Sequence, residues 1–179
     1  RIQKAIMKKY RPSAAFSLVQ PPPRSDLDCM VSSPISEEHC RKLERMYLGC
    51  PINRAKYPST RAEFTDKAAS ISLEVEANQF HAMGAAHGSV YFKLIDDAAY
   101  FAAQAHVEDS YLLTVSMNLN FTRPVTGGRM VCRGQVLHRG RRMLVSEAEL
   151  LDADGHLLAT GRGTFMPSGK PLESDFGYR

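Results

Sequence analysis

The sequence predicts an α+β domain in which one long buried helix is wrapped by a curved antiparallel sheet. Two observations carry the prediction. Residues 88–105 place apolar side chains at helical spacing around nearly the whole circumference, which marks a helix buried on most sides. The stretches before and after it alternate apolar and polar residues with a period of two, and the last four follow one another with only turn signals between them.

The elements follow in order. Residues 1–35 are basic and proline-rich: Arg1, Lys4, Lys8, Lys9, Arg11 and Arg24 precede the first acid, Asp26, and Pro21-Pro22-Pro23 opposes regular structure. They read as a flexible leader, as a transit peptide, or as sequence upstream of a start at Met30. A helix begins after Ser36, a good N-cap followed by Glu37 and Glu38, and stops at Gly49 and Pro51; Cys40, Leu43, Met46 and Tyr47 share its apolar face. A strand runs over 69–77, with Ala69, Ile71, Leu73, Val75 and Ala77 inward. The long helix carries Val90, Tyr91, Leu94, Ile95, Ala98, Phe101, Ala102 and Ala105. Strands return over 111–121, with Leu113, Val115, Met117, Leu119 and Phe121 inward, and then near 129–138, 142–151 and 156–166. Gly127-Gly128, Arg139-Gly140 and Asp154-Gly155 mark the turns. One domain is thus expected over 36–168, with a short polar tail over 169–179.

Composition narrows the class. The chain has 179 residues, 44% hydrophobic and 23% charged, enough for a core without staples. No apolar run reaches the ~20 residues of a membrane-spanning helix, so no membrane partner is expected. The four cysteines, Cys29, Cys40, Cys50 and Cys132, have neither disulfide-framework nor zinc spacing, so no metal is expected and the thiols read as reduced, in a cytoplasmic compartment. The net charge is only +4, but no acid lies between Asp109 and Glu147, where Arg123, Arg129, Arg133, Arg139, Arg141 and Arg142 all fall. Such a field is either a solvated basic face or a seat for a phosphate-bearing partner. Aromatic residues are sparse there and no nucleic-acid motif is present, so nucleic acid is not the expected partner.

The chemistry concentrates in His81-Ala82-Met83-Gly84-Ala85-Ala86-His87-Gly88-Ser89, a glycine-punctuated loop running into the N-terminus of the long helix. Unpaired N–H groups at such a terminus attract negative charge, and Gly88, lacking a Cβ, admits a ligand close to the backbone. Asp96 lies two turns further on among apolar residues. It must be paired, face a cavity, or have its ionisation suppressed. Asp97 sits four residues after Lys93, the spacing of a surface ion pair, although it is also an alternative catalytic acid. His87 reads first as a structural residue of the loop, and His106 and His138 as surface.

These residues resemble the hotdog-fold acyl-CoA thioesterases of the PaaI-like, phenylacetate-degradation type. That family opens its central helix with His-Gly-Gly and places an acid in a Leu-x-Asp-x-Ala context. The counterparts are His87-Gly88-Ser89 and Leu94-Ile95-Asp96-Asp97-Ala98, and the likeness continues through Ser116–Pro124 and Gly161–Thr164. The resemblance implies thioester hydrolysis without a cofactor, at the subunit interface of a homodimer or homotetramer. Asp96 would be general base or nucleophile, and the Gly88 N–H would polarise the carbonyl with help from the helix dipole. His81 stands where relatives often carry an amide side chain, and Thr114 where a hydroxyl orients water. CoA would lie along His87, Ser89, Phe121, Thr122 and Arg123 and the turn Arg139, Gly140, Arg141 and Arg142. A hotdog dehydratase or hydratase and a non-catalytic acyl-CoA-binding module are the alternatives. The first needs a catalytic histidine, for which only His87 is available; the second gives a carboxylate on an apolar helix no task.

Overall fold

The computed structural model describes residues 35–66, 68–173 and 177–179, so the basic, proline-rich leader expected over 1–35 lies, but for residue 35, outside the described residues. Helix α1 (Glu37–Gly49) starts at Ser36, whose hydroxyl accepts from the His39 N–H, and buries His39, Cys40, Leu43, Met46 and Tyr47. A second short helix, α2 (Pro51–Lys56), follows at once. The Gly49-Cys50-Pro51 stop is therefore also a start, because proline suits the first helical position. Strand β1 (Arg61–Phe64) is four residues long, too short for alternation to reveal, yet it delivers Phe64 to a stacked contact with Phe101, 4.7 Å between centroids.

Strand β2 (Ala69–Val75) buries Ala69, Ile71 and Leu73 as expected. The central helix α3 (Gly88–Gln104) buries ten of its seventeen residues. Strands β3 (Leu112–Phe121), β4 (Gly128–Arg139), β5 (Leu144–Asp152) and β6 (Leu157–Pro167) complete one antiparallel sheet in the order β1-β2-β4-β5-β6-β3. The long helix lies along the inner face of this sheet, chiefly against β4 and β5. Two glycines set how closely it lies. A Cβ on Gly134 would stand 2.1 Å from the Ala98 carbonyl oxygen, and one on Gly161 would stand 2.4 Å from Ile95 Cγ2. Helix backbone and sheet backbone are nearly in contact, so the sheet must curve round α3.

Strand β3 corrects one expectation. Leu113 and Val115 do not face the core, because β3 is a sheet edge and the parity of its face changes partway along it; Phe121, on the inward parity at the strand's end, meets the start of α3 but stays more than half exposed there, as they are. The β3–β6 register slips between Thr114 and Ser116, leaving Val115 without a partner. Before this bulge Leu112 is buried and Thr114, itself exposed, turns its hydroxyl to α3; after it Met117 and Leu119 are the half-buried side chains. Two further readings change. His106 is half-buried, with Nδ1 unpartnered, and burial holds its imidazole below the ordinary histidine range. The tail folds back, with the Tyr178 hydroxyl 2.6 Å from Nδ1 of buried His39. Among the described residues no helix is long and apolar enough to cross a membrane.

Candidate active site

The loop before α3 is tied down by its own backbone. The His81 N–H donates to Ala85 O and the Gly84 N–H returns to His81 O, a tight turn that Gly84 permits with φ +78°. The Ala86 N–H then donates to Val125 O, fastening the loop to the segment that leaves β3. His87 is the N-cap: its Nδ1 accepts from the Ser89 N–H at 3.1 Å and lies 2.8 Å from Ser89 Oγ. His87 and Ser89 thus satisfy each other at the helix start, the loop role that the spacing favours.

Gly88, the first helical residue, opens onto a cleft of about 370 Å³. One wall is His81, Ala86, Gly88 and Tyr91; the other is Phe121, Thr122, Arg123 and Pro124. The Phe121 ring comes within 3.5 Å of where a Gly88 Cβ would be, an ordinary van der Waals distance, so the ring lies directly over the helix start. His81 Nδ1 accepts from the Met83 N–H at 3.1 Å, which leaves Nε2 as the donor of the neutral ring. The Thr122 hydroxyl donates to Leu157 O at 2.6 Å and is engaged there. Tyr91 follows from the helical pattern as an apolar residue of α3 and a candidate for setting pocket depth. In the fold its ring meets Phe121 edge-on at 5.5 Å, and its hydroxyl donates to Arg123 O at 3.1 Å, so it props both sides of the cleft.

Asp96 is elsewhere. It lies eight residues from Gly88, about 12 Å along the helix axis, and does not line the cleft. Its Oδ1 accepts from the Thr114 hydroxyl at 3.1 Å, a bond that exists because the bulge in β3 turns Thr114 towards α3. Burial raises the Asp96 carboxyl above the usual carboxylate range; the Thr114 hydrogen bond opposes this, the neighbouring Asp97 charge adds to it, and Lys93 again opposes. Asp97 pairs with Lys93, as the spacing predicts, but not on the surface. Tyr47 of α1 covers the pair and donates its hydroxyl to Asp97 Oδ2 at 2.8 Å.

The arginine turn is at the other end of α3. Arg139, Gly140, Arg141 and Arg142 form the β4–β5 turn, closed by the Gly140 N–H donating to Met143 O, and Arg139 Nη2 reaches His106 O just past the helix C-terminus. Since α3 spans about 25 Å, one protomer does not bring these arginines to the cleft, where only Arg123 stands. The predicted residues therefore form three clusters. His81, Gly88, Phe121, Thr122 and Arg123 surround the helix start, Asp96 and Thr114 meet midway along the helix, and Arg139, Gly140, Arg141 and Arg142 lie past its end.

Asp152, Asp154 and His156 offer ligand atoms within 4.8 Å of one another in the β5–β6 turn. Their hydrogen bonds close the turn: Asp152 Oδ1 accepts from the N–H groups of Asp154 and His156, and Oδ2 lies 3.0 Å from His156 Nδ1.

Comparison with known proteins agrees with this architecture. The profile described as "Thioesterase superfamily" matches residues 83–159, from the loop before Gly88 to the start of β6. The Mycobacterium tuberculosis protein named "Putative esterase Rv1847" is 30% identical over 98 residues, 52% of this chain and 70% of its own. Its structure superimposes with a TM-score of 0.58, covering 61% of this chain and 90% of that one, at 25% identity. A conserved Pseudomonas aeruginosa protein, PA5202, is 36% identical with a TM-score of 0.54, covering 56% of this chain and 80% of its own. The Escherichia coli PaaI protein, from the phenylacetic acid degradation operon, shares the hotdog fold with a TM-score of 0.70 over 78% of this chain and 99% of its own, at 20% identity. The chain belongs to the thioesterase superfamily and has its hotdog fold.

Proposed function

We propose that this protein is a PaaI-like acyl-CoA thioesterase, cytoplasmic and homo-oligomeric, whose active sites form between two copies of the chain. The hydrogen bond between Thr114 and Asp96 carries the reading. A strand bulge aims a hydroxyl at a half-buried carboxylate on the central helix, an arrangement that suits binding and activating a water molecule. The acyl carbonyl would rest at the Gly88 N–H, with His81 Nε2 as a second donor. Because Gly88 and Asp96 lie about 12 Å apart along one helix, a two-fold pairing that sets the cleft of one copy against the Asp96–Thr114 pair of the other completes the site. The exposed edge strand β3, with Leu113 and Val115 more than half exposed, is the surface such a pairing would cover.

In the reaction, Asp96 takes a proton from water while the water oxygen bonds to the thioester carbon. The carbonyl oxygen gathers negative charge against the Gly88 N–H and the positive end of the helix dipole. The C–S bond then breaks, and the CoA thiolate leaves and takes up a proton. Direct attack by the Asp96 carboxylate, followed by hydrolysis of the anhydride, uses the same residues. Arg123 at the cleft, with Arg139, Arg141 and Arg142 from the arginine turn, would meet the CoA phosphates.

The test is free-thiol release from acetyl-, hexanoyl-, palmitoyl- and benzoyl-CoA. Asp96→Asn keeps the shape and removes the base, so kcat should fall at least about a hundredfold with the fold retained. Undiminished turnover by Asp96→Asn would end the mechanism, and sedimentation of a 20 kDa species alone at micromolar concentration would end the composite site.

A further inference from the structure

Helix α3 carries two adjacent carboxylates in different surroundings. Asp96 meets β3 through Thr114; Asp97, about 100° round the helix, meets α1 and Tyr47. The Lys93 ammonium that pairs with Asp97 also lies 5.2 Å from the ring centroid of Tyr47 and 5.0 Å from that of Tyr57, the residue that ends α2. The side chains of Lys93 and Asp97 are only 14% and 21% exposed. Every other ion pair among the described residues has one partner more than half exposed. Helix-surface pairs do not need this enclosure. Two aromatic rings, a phenol hydroxyl and an ion pair converge on one turn of helix, directly behind the carboxylate assigned to catalysis.

We propose that Lys93 and Asp97 are positioning residues that set the charge balance around Asp96, and that α1 and α2 serve the active site by enclosing this pair. The proposal rests on Asp96 as the reacting carboxylate. Its physical basis is proximity with little screening. Charges in a half-buried setting reach one another with more force than charges in water. The charged or titratable groups that face Asp96 among the described residues are Lys93, Asp97 and Tyr100 of its own helix; β3 contributes the uncharged Thr114 hydroxyl. With Lys93 in place the Asp97 charge is balanced. Without Lys93, Asp97 stands unopposed and Asp96 holds its proton to higher pH. Without Asp97, Lys93 stands unopposed and Asp96 ionises more readily. The two substitutions must therefore act in opposite directions, which damage to packing would not produce.

The experiment compares kcat/KM against pH for the wild type, Lys93→Met, Asp97→Asn and Lys93→Arg, using whichever of the four acyl-CoAs is hydrolysed fastest. On the acid slope, relative to its own plateau, Lys93→Met should fall about threefold and Asp97→Asn should rise about threefold, the effect of half a pH unit. Lys93→Arg should follow the wild type. Displacement of both variants in one direction, or plateaus lowered without movement of the acid slope, would overturn the proposal. Titration of the Asp96 carboxyl by 13C NMR in the same proteins reads the same displacement without substrate. If Lys93→Met does not fold, Asp97→Asn by itself decides, since a slope unmoved or moved upwards refutes the charge balance. Retained turnover by Asp96→Asn would instead refute the assigned mechanism, and the NMR titration would still report on the pair.

Discussion

Replacing Gly134 by alanine would put a methyl group 2.1 Å from the carbonyl oxygen of Ala98, 2.4 Å from its carbonyl carbon and 2.9 Å from the Ala99 nitrogen. Ordinary contact begins near 3.4 Å, and all three atoms are helix backbone, which has no rotamer to change. The only relief is for α3 to lift from β4 by about 1 Å. Overpacking of this kind costs about 1–3 kcal/mol, and backbone meeting backbone belongs at the upper end. For a chain of this size that is a fall in Tm of about 5–10 °C. Function should suffer as well, because Asp96 lies two residues from Ala98 and its 3.1 Å bond to Thr114 joins α3 to β3. A misplacement of about 1 Å can cost about a hundredfold in rate. Thermal melts followed by circular dichroism, together with thiol-release assays well below Tm, measure both effects. Gly49→Ala is the control, since nothing lies within 4 Å of that position and its φ is not positive. A Gly134→Ala protein that melts within 1 °C of wild type with full activity would refute the close approach of helix and sheet.

Thr114→Val removes the hydroxyl that stabilises ionised Asp96 while keeping the side-chain volume. The acid limb of kcat/KM should move to higher pH, because the folded-state carboxyl, already raised by burial, loses the interaction that lowers it, and kcat should fall about tenfold or more; an unmoved pH profile would show that the bond does not serve Asp96. Changing Arg141 and Arg142 to alanine should raise KM for acyl-CoA more than it lowers kcat, since phosphate contacts are remote from the reacting carbon. Equal KM values for acyl-CoA and a pantetheine-truncated thioester in the wild type would remove these arginines from CoA binding.

Much of this protein is determined by local pattern. Ser36 as cap, the period-two run over 69–75, the apolar circumference of residues 88–104 and the glycine turns are properties of neighbouring residues, so the helix, the strands and their α+β assembly can be read directly. Gly88 at a helix start, Asp96 on its apolar length and the spacing of Lys93 and Asp97 are legible for the same reason. What the chain does not announce is which sheet edge stays open and where a register slips. Alternation in β3 places Thr114 opposite the apolar side chains, yet an unpaired Val115 reverses the parity and brings Thr114 to Asp96. Only packing against α1 and α2 turns the expected surface pair of Lys93 and Asp97 into an enclosed one. Separation along the chain likewise hides that Arg123 belongs to the cleft while Arg139, Arg141 and Arg142 lie beyond the far end of the helix. Periodicity describes a segment's two faces, but what each face meets depends on elements distant in sequence, and that is decided by tertiary structure.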